Sequence, residues 1–354
     1  MDLDGLREKI DELDSRIVRL INERAEVARQ IGRLKAGDNS RVYIPSRHEQ
    51  VLRRVSELSD GPLADDCLQA VYREIMSGCL ALEKPVNVAY LGPEGTFTHS
   101  AALANFGESV QYLAASTIDG VFSEVERDRA DYGVVPVENS TGGGIHETLT
   151  RFLDSPLKIC AEIVQEIHHA LMAACPPEQI ERIYSRGQVF GQTRRWLQTH
   201  MPDPELIEVQ STSAAAAEAA QDNAGAAIGN ASLASTHGLD VLFDHIEDYS
   251  HNVTRFFVLS EHSSGPSGDD KTALLCSVRD KVGALHDLLA AFKDYAINMT
   301  KIESFPSPTA AWQYYFFIDF LGHPEEENTR QALEQMRAEC LSFKVLGAFP
   351  RCRG

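Results

Sequence analysis

Residues 252–259 read NVTRFFVL, an apolar run that begins with a hydroxyl and a guanidinium side chain. The run is rich in β-branched and aromatic residues and predicts a buried β-strand. Thr254 and Arg255 would then lie at the mouth of a packed core, a common location for chemistry in α/β domains. A simpler interpretation fits the stretch equally well: Thr254 is an ordinary β-branched strand residue and Arg255 is solvated. The two interpretations can be distinguished only by the pattern of the surrounding sequence.

The segment around this run, residues 86–262, alternates strand patterns with helix patterns and predicts an α/β domain. Its length, about 177 residues, permits two lobes with a cleft between them. Three polar loops directly follow predicted strands: ENST at 138–141, SRGQ at 185–188 and STS at 211–213. Ligands of open sheets bind at such strand ends, although each loop also fits a helix N-cap. We expect these loops to converge with Thr254 on one cleft.

The loop GPEGTFT at residues 92–98 follows the first predicted strand of this domain and precedes a helix. A glycine-rich loop in that position is an anion-binding arrangement in outline. It lacks the G-x-G-x-x-G spacing, and no acidic residue ends a suitable second strand. The sequence therefore does not predict a nucleotide site.

Residues 1–85 predict a helical module. Apolar residues recur at steps of three and four from Leu3 to Leu34, as in a coiled-coil seam, and Arg24 interrupts them. An uninterrupted helix of this length spans about 48 Å, so we expect a partner chain to pack along it. Two further helices, near 45–58 and 63–83, complete the module. A pocket lined by Arg and Lys would suit a small dicarboxylate, and an ion pair between Arg24 and a Glu is the alternative.

Residues 263–270, SSGPSGDD, have the composition of a flexible linker. The remaining residues, 271–354, predict the element order βαββαβ, which is the ferredoxin-like split unit and an α+β fold. The chain therefore divides into a helical segment, an α/β segment, a linker and a small α+β domain.

The bulk composition excludes several classes of function. The net charge of −19 argues against nucleic acid or an anionic membrane as a partner, because both require a basic face. The seven cysteines have neither CxxC nor His-linked spacing, which predicts reduced thiols and no metal site. The acidic start carries no signal-peptide pattern, and no apolar run approaches the ~20 residues of a membrane helix. We expect a cytoplasmic protein.

The motifs LREKI at 6–10, Leu13-Asp14, Arg24 and GRLK at 32–35 resemble the all-helical chorismate mutase domain of bifunctional P-proteins. The resemblance implies that chorismate is rearranged to prephenate by conformational restraint and charge stabilisation, without a cofactor. It also implies an intertwined dimer whose partner chain supplies Arg7. His48 stands where a Glu often contacts the substrate, and its role stays open. The implied catalytic residues are Arg24, Lys35 and Glu83, the last in its protonated form; the implied binding set is Arg7, Arg24, Lys35, Arg47, His48, Cys79 and Glu83.

GPEGTF at 92–97, VVPVENS at 134–140 and TRF at 254–256 resemble prephenate dehydratase, whose domain is similar to a two-lobed periplasmic-binding-protein fold. The resemblance implies that Thr254 donates a proton or hydrogen bond to the departing ring hydroxyl as CO2 leaves. No metal or cofactor is implied. Arg186 and Gly187 depart from the family's usual Ser-His-Pro-Gln. The implied substrate-binding set is Thr96, Glu138, Asn139, Ser140, Ser185, Gln188, Ser211, Thr212, Arg255 and Phe256.

GALH at 283–286 and NMTKIESFP at 298–306 resemble the ACT regulatory domain of prephenate dehydratases. In that family L-phenylalanine binds between paired ACT domains and inhibits the enzyme. Phe305 replaces the Arg of the usual Glu-Ser-Arg-Pro motif, which leaves the strength of feedback open. The implied effector-binding residues are Gly283, Ala284, Leu285, Asn298, Glu303 and Ser304.

Together these resemblances predict a bifunctional isomerase and carbon–oxygen lyase of phenylalanine biosynthesis: mutase at 1–85, dehydratase at 86–262, linker at 263–270 and ACT domain at 271–354. The partners expected are chorismate, prephenate, L-phenylalanine and further copies of the chain, as a dimer or a higher oligomer. Two alternatives remain at this point. The dehydratase could prefer arogenate to prephenate, or the chain could be a non-catalytic amino-acid sensor.

Overall fold

The computed structural model describes residues 2–35, 43–249, 251–307 and 313–352. Its helices are α1 (Leu3–Lys35), α2 (Pro45–Leu58), α3 (Asp65–Glu83), α4 (Phe97–Phe106), α5 (Ile118–Glu126), α6 (His146–Arg151), α7 (Gly187–Gln192), α8 (Arg194–His200), α9 (Thr212–Gln221), α10 (Ser232–His237), α11 (Ala284–Asp294) and α12 (Glu327–Glu339). Its strands are β1 (Asn87–Leu91), β2 (Gln111–Ala115), β3 (Tyr132–Asn139), β4 (Gly143–Gly144), β5 (Lys158–Glu166), β6 (Ala170–Ala173), β7 (Arg182–Ser185), β8 (Glu205–Glu208), β9 (Gly225–Gly229), β10 (Asp240–Phe243), β11 (Val253–Ser260), β12 (Asp270–Val278), β13 (Met299–Pro306), β14 (Tyr314–Leu321) and β15 (Cys340–Pro350).

The described residues up to Glu83 form three helices, as the apolar spacing predicts. Helix α1 runs for 33 residues without a break and is about 50 Å long. Helix α2 begins at Pro45, whose fixed backbone angle suits a first turn. The predicted seam of α1 is exposed in the single chain: Leu6, Ile10, Leu13 and Ile17 each keep 42–56% of their surface accessible.

Residues 86–262 fold into two lobes, each built on its own sheet. The first sheet has the order β2-β1-β3-β11-β5, with the short β4 paired to β3; β1 is parallel to β2 and β3, whereas β11 is antiparallel to β3 and β5. The second has the order β10-β6-β9-β7-β8. The chain crosses between the lobes twice, from β5 to β6 and from β10 back to β11. The two-lobed prediction is confirmed.

Strand β11, which contains the NVTRFFVL run, lies inside the first sheet and is buried on both faces. Side chains alternate along a strand, so Phe256 and Val258 point to one face and Phe257 and Leu259 to the other. The first pair packs with helix α4. The second pair packs with helices α5 and α6 and with the C-terminal domain. Burial on both faces explains why this run is continuously apolar after Arg255.

Residues 270–350 form the predicted βαββαβ domain, with strand order β13-β14-β12-β15. Helices α11 and α12 cover one face of its sheet, through Leu288, Phe292 and Met336. The other face packs against the first lobe, where Phe317 and Leu346 enter the same core as Phe257. The small domain and the first lobe thus share one hydrophobic core.

The predicted flexible linker at 263–270 is instead folded against the small domain. Ser264 and Asp270 are 4% and 3% exposed, and the Ser264 N–H donates to Ala348 O at 3.2 Å. The Asp270 carboxylate accepts hydrogen bonds from the Ser267 N–H and hydroxyl at 2.8 and 2.7 Å. The prediction was wrong because Ser, Gly, Pro and Asp also compose tight hydrogen-bonded turns. In the described ranges no helix is both long and apolar enough to cross a membrane.

The shared core makes the small domain and the first lobe a cooperative unit. Leu346→Ala removes a fully buried side chain from β15, and we expect it to lower the free energy of unfolding by about 2–5 kcal/mol. Calorimetry should show one transition for both domains, shifted as a whole. Leu341→Ala is the matched control on the same strand, because Leu341 is 54% exposed. Separate melting of the small domain, with the lobes unaffected, would contradict the shared core.

Candidate active sites

A cavity of about 490 Å³ lies among the three N-terminal helices. It brings together five of the seven side chains predicted for the mutase site: Arg24, Arg47, His48, Cys79 and Glu83. The Arg24 guanidinium donates to Cys79 Sγ at 3.0 Å. The rest of the lining is mainly apolar and was not predicted: Val27, Ala28, Ile31, Tyr43, Ile44, Val51, Met76 and Leu80.

The close packing of α1 on α3 positions the polar residues of this cavity. Arg24, Ala28 and Ile31 share one face of α1 because they are spaced by four and three residues. Gly32 lies against Glu83: a β-carbon at Gly32 would approach Glu83 Cγ to 2.9 Å. A side chain at that position would therefore push Glu83 out of place. Two cations and one carboxyl group in a largely apolar cavity suit a small molecule with carboxylates.

Arg7 does not line the cavity of its own chain. Arg7 and Arg24 are 17 positions apart on one continuous helix, which separates them by about 26 Å. The Arg7 guanidinium pairs with Asp4 at 3.2 Å in an exposed position. Helix α1 ends at Lys35, whose side chain lies outside the described part of the structure. Only a second copy could bring an Arg7 to this cavity.

His48 is a neutral residue in this setting. Burial, together with the nearby Arg73, lowers the pKa of His48 to about 4. Its ring meets that of Tyr43 edge to face, with centroids 5.5 Å apart. At neutral pH His48 can therefore contribute a polar nitrogen to the cavity but no positive charge.

In the two-lobed domain, Thr254 is hydrogen bonded to Asn139 on the neighbouring strand. Asn139 Oδ1 accepts from the backbone N–H groups of Thr141 and Gly142 at 3.1 and 3.0 Å. A backbone N–H can only donate, so this fixes the amide orientation, and Asn139 Nδ2 must donate to Thr254 Oγ1 at 2.8 Å. The Thr254 hydroxyl proton is then available to another acceptor. Such a hydroxyl is a preorganised hydrogen-bond donor.

The same network continues from Asn139 across to the second lobe. The Thr141 hydroxyl donates to Asn139 Oδ1 and accepts from Gln192 Nε2, at 2.6 and 2.7 Å. Gln192 Oε1 bonds to Nε2 of His169, whose pKa burial lowers. Asn252 Oδ1 also accepts from Asn139 Nδ2, at 2.8 Å. Neither Gln192 nor Asn252 was predicted as a site residue, although Asn252 opens the NVTRFFVL run.

Several predicted dehydratase residues act locally in this structure. Thr96 and Ser211 are N-caps of α4 and α9: their side chains accept from the backbone N–H groups of His99 and Ala214. Ser185 is fully buried and donates to Ile228 O at 2.7 Å. Thr212 is 5% exposed and lies under Gly229. The Ser211 contact matches the N-cap alternative given for its loop, whereas Ser185 and Thr212 are buried and cap no helix.

Of two other predicted residues, Ser140 lies in the loop that contains Gly142, and Gln188 lies close to Gly142 from the second lobe. The Ser140 hydroxyl donates to His251 O and accepts from the Val253 N–H, both at 2.9 Å, and so ties its loop to β11. Gln188 lies on α7 of the second lobe, and its amide nitrogen is 3.2 Å from where a Gly142 β-carbon would lie. Gln188 is exposed and can contact a ligand held between the lobes.

Three predictions for the cleft need correction. Arg255 is 7% exposed and points away from Thr254, since consecutive strand residues face opposite sides. It pairs with Glu138, Glu162 and Asp319, the last in the C-terminal domain. Glu138 turns to that same side. Phe256 is 1% exposed and belongs to the core beneath α4.

The predicted effector residues are divided between two surfaces of the small domain. Gly283 precedes α11 with a φ of +80°, a conformation that favours glycine, and Ala284 and Leu285 begin the helix. The Asn298 carbonyl accepts from the Leu321 N–H at 2.9 Å. Glu303 instead faces the first lobe, where it pairs with Lys301 and His146. Ser304 follows Glu303 on the strand and is exposed on the opposite face.

One group among the described residues has the composition of a metal site. Ligand atoms of His168, His245 and Glu247 lie within 4.8 Å of one another, where the chain crosses between the lobes. His168 Nδ1 bonds to Glu247 at 2.8 Å, and this hydrogen bond raises the pKa of His168. That bond accounts for the arrangement without an ion.

Comparison with known proteins gives one consistent result along the chain. Residues 6–84 match the family described as chorismate mutase type II, residues 88–264 match prephenate dehydratase, and residues 272–338 match the ACT domain. The bifunctional chorismate mutase/prephenate dehydratase of Aquifex aeolicus is 44% identical over 99% of this chain and 98% of its own length. The enzyme of that name from Pseudomonas aeruginosa is 42% identical over the same shares.

A solved structure shows the same fold over three quarters of this chain. It is the prephenate dehydratase of Arthrobacter aurescens in complex with L-Phe, with a TM-score of 0.70 and 30% identity. The match covers 75% of this chain and 90% of that one.

The low pKa of His48 has a measurable consequence for stability. Between pH 6.5 and pH 4 the unfolded chain binds a proton at His48 that the folded chain does not, so acidification destabilises the fold. From pH 7 to pH 5 we expect His48→Gln to lose about 2 kcal/mol less unfolding free energy than the unsubstituted protein. Urea denaturation at both pH values measures the difference. His286→Gln, at an exposed histidine, is the control; equal losses in all three proteins would refute the assignment.

Proposed function

The chain belongs to the family of bifunctional chorismate mutase/prephenate dehydratases that carry an ACT domain, and we propose how its residues perform the two reactions. Membership in this family makes it an enzyme of aromatic amino acid biosynthesis and sets aside the non-catalytic sensor alternative. The assignment of roles to individual residues rests on the geometry of the two sites.

The mutase reaction takes place in the helical cavity. Its supporting observation is the placement of Arg24, Arg47 and Glu83 around an apolar cavity of about 490 Å³. The guanidinium groups hold the two carboxylates of chorismate in the reactive conformer, which removes most of the entropic barrier of a unimolecular rearrangement. Lys35 donates a hydrogen bond to the ether oxygen as its bond to the ring breaks, and Glu83 assists from the other side. Apolar neighbours exclude water and strengthen these interactions.

The dehydratase reaction takes place beside Thr254, between the lobes. Its supporting observation is the Asn139–Thr254 hydrogen bond, which leaves the Thr254 proton free to be donated. As prephenate loses CO2, the electron pair of the breaking carbon–carbon bond moves into the ring and expels the ring hydroxyl. Thr254 donates a hydrogen bond to that leaving group and stabilises its developing charge. Aromatisation supplies the driving force, and Ser140 and Gln188 contact the substrate from the two sides of the cleft.

The ACT domain binds L-phenylalanine as a feedback inhibitor, and the enzyme acts in the cytoplasm. The similar structure from Arthrobacter aurescens contains L-Phe, which supports this effector. The binding residues are Gly283, Ala284, Leu285, Asn298 and Ser304, because Glu303 is engaged by the first lobe. A reducing location agrees with the cysteines, since no disulfide joins them in the described part of the chain.

The active mutase is a dimer built along α1. The exposed seam from Leu6 to Ile17 needs an apolar cover, and the separation of Arg7 from Arg24 means that one cavity requires two chains. A second copy running along α1 would satisfy both requirements. The dehydratase site, built within one chain, has no such need.

The two activities should separate by substitution. Thr254→Val removes the donor and keeps the shape, so we expect dehydratase kcat to fall by about 10²–10⁴ while mutase kcat stays within about twofold. Lys35→Ala should reduce mutase kcat by about 10²–10³ and spare the dehydratase. Chorismate loss and phenylpyruvate formation are followed separately. Thr199→Val, at an exposed threonine of α8, is the control. Loss of both activities from a folded single variant would contradict separate sites.

The dimer proposal predicts a linked loss of assembly and mutase activity. Leu13→Lys with Ile17→Lys places charges on the seam, and sedimentation should show a shift to monomer. Mutase activity should fall at least tenfold because no partner supplies Arg7, whereas dehydratase activity should persist. Ser15→Lys adds a charge of the same sign to the opposite side of α1 and should change neither property. A monomer with full mutase activity would refute the shared cavity.

A further inference from the structure

The small domain meets the first lobe through charges as well as through the shared apolar core. Seven charged side chains gather beside this core, at the edge nearest Thr254, where they are largely removed from water. Three are cations and four are carboxylates: Arg255, Lys271, Lys301, Glu138, Glu162, Glu303 and Asp319.

Arg255 is the centre of this group. Its Nε donates to Glu162 at 2.8 Å, with Nη2 in ion-pair contact with the same carboxylate at 2.7 Å, and its Nη1 donates to Glu138 at 3.2 Å and to Asp319. Its guanidinium also lies over the ring of Phe257, 4.7 Å from the centroid. Asp319, on β14, is completely buried, and burial raises the pKa of this carboxyl group. Nε and Nη1 of Arg255 thus donate to carboxylates of the chain itself, and Nη2 is buried beside Glu162 without a hydrogen bond, so the guanidinium is held on this side of the strand in this conformation.

Two further contacts connect the small domain to the same place. Lys301 pairs with Glu138, the residue before Asn139. Glu303 packs directly on the backbone of Gly144, which leaves no room for a side chain there. Both residues lie on β13, two positions apart and therefore on one face. Strand β13 thus contacts the loop that holds Asn139.

The register of β3 and β11 joins this charged side to the catalytic side. Thr254 lies opposite Asn139 in the ladder, and Arg255 lies opposite Glu138. The first pair forms the hydrogen bond that orients the donor. The second pair, one position along each strand, points to the C-terminal domain. A shift of Arg255 or Glu138 must move the backbone that carries Thr254 and Asn139, because each strand links them by one peptide unit.

We propose that Arg255 is a positioning residue: anchored by Asp319 of the ACT domain, it holds the Thr254–Asn139 pair in reactive geometry and transmits the state of that domain to it. The proposal rests on the dehydratase function assigned to Thr254. It replaces direct carboxylate binding by Arg255, and it gives a physical route from effector to active site. The buried ion pair serves as the two-position element, because a buried charge that loses its partner cannot stay where it is.

The test compares steady-state kinetics on prephenate for Asp319→Asn and the unsubstituted enzyme, using the full chain. The substitution keeps the shape of the side chain and removes its charge. We expect dehydratase kcat to fall at least tenfold, with KM within about twofold and mutase kinetics unchanged. Calorimetric titration should still show L-phenylalanine binding, while saturating L-phenylalanine should change kcat less than in the unsubstituted enzyme. Glu334→Gln, which breaks the exposed Arg330–Glu334 pair of the same domain, should alter none of these values.

Arg255→Gln and the double variant Arg255→Gln/Asp319→Asn complete a double-mutant cycle with Asp319→Asn. If Arg255 acts through Asp319, the double variant should lose about as much kcat as Arg255→Gln alone. A rise in KM for Arg255→Gln, with Asp319→Asn unchanged from the unsubstituted enzyme, would assign Arg255 to substrate binding and overturn the proposal. Should Asp319→Asn fail to fold, Lys301→Gln tests the proposal in its place, with the same expected loss of kcat at constant KM.

Failure of the dehydratase assignment can be distinguished from failure of this proposal. It would appear as no turnover of prephenate by the unsubstituted enzyme, or as full turnover by Thr254→Val.

Discussion

The antiparallel pairing of β3 with β11 is the constraint on which the dehydratase depends. Strand β11 is the segment by which the chain returns to the first lobe after forming the second. It lies between β3 and β5 in the first sheet. Their register sets Thr254 against Asn139. A register slip of one residue would turn Thr254 toward the C-terminal domain and Arg255 toward the cleft. The Arg255 guanidinium, which pairs with Glu162 and Asp319 on one side of the strand, opposes such a slip.

The same sheet also organises the other two modules. On one face, Phe256 shares a core with Tyr43, the residue that enters α2, so the mutase is attached to the dehydratase by packing. On the other face, Phe257 shares a core with Phe317 and Leu346 of the C-terminal domain. Both modules are therefore packed directly against this sheet. The C-terminal domain thus contacts the dehydratase directly, and helix α2 of the mutase module also contacts its strand β15.

The sequence predicted local structure well because local structure follows from periodicity. The three-and-four spacing in α1 and the βαββαβ order of the C-terminal domain are such cases. The placement of Arg24 in the helical cavity was also predictable, since a guanidinium on an apolar seam needs a polar partner. The partners of Arg255 were not predictable, because Asp319 is distant in the chain and nothing local marks it as a partner. The linker prediction failed for a related reason: composition cannot distinguish a free segment from one that packs.

The signature TRF at 254–256 shows how a short motif can combine unrelated roles. In this structure Thr254 accepts a hydrogen bond from Asn139, Arg255 pairs with Asp319 of the ACT domain and Phe256 is part of the core. Strand geometry forces this division, because adjacent side chains face opposite sides. A motif in a strand buried on both faces therefore serves two surfaces at once, and its residues cannot all contact one substrate.

The same argument applies to Glu138 and Asn139 on β3, which divide between the ACT domain and the cleft in the same way. The two motifs match as a pair. Thr254 and Asn139 bond to each other on one face of the sheet, and Arg255 and Glu138 pair on the other. Regulation of the dehydratase by the ACT domain then requires no long pathway. The contacts to the ACT domain and the Thr254–Asn139 hydrogen bond lie on opposite faces of the sheet, at two neighbouring residue pairs of β3 and β11.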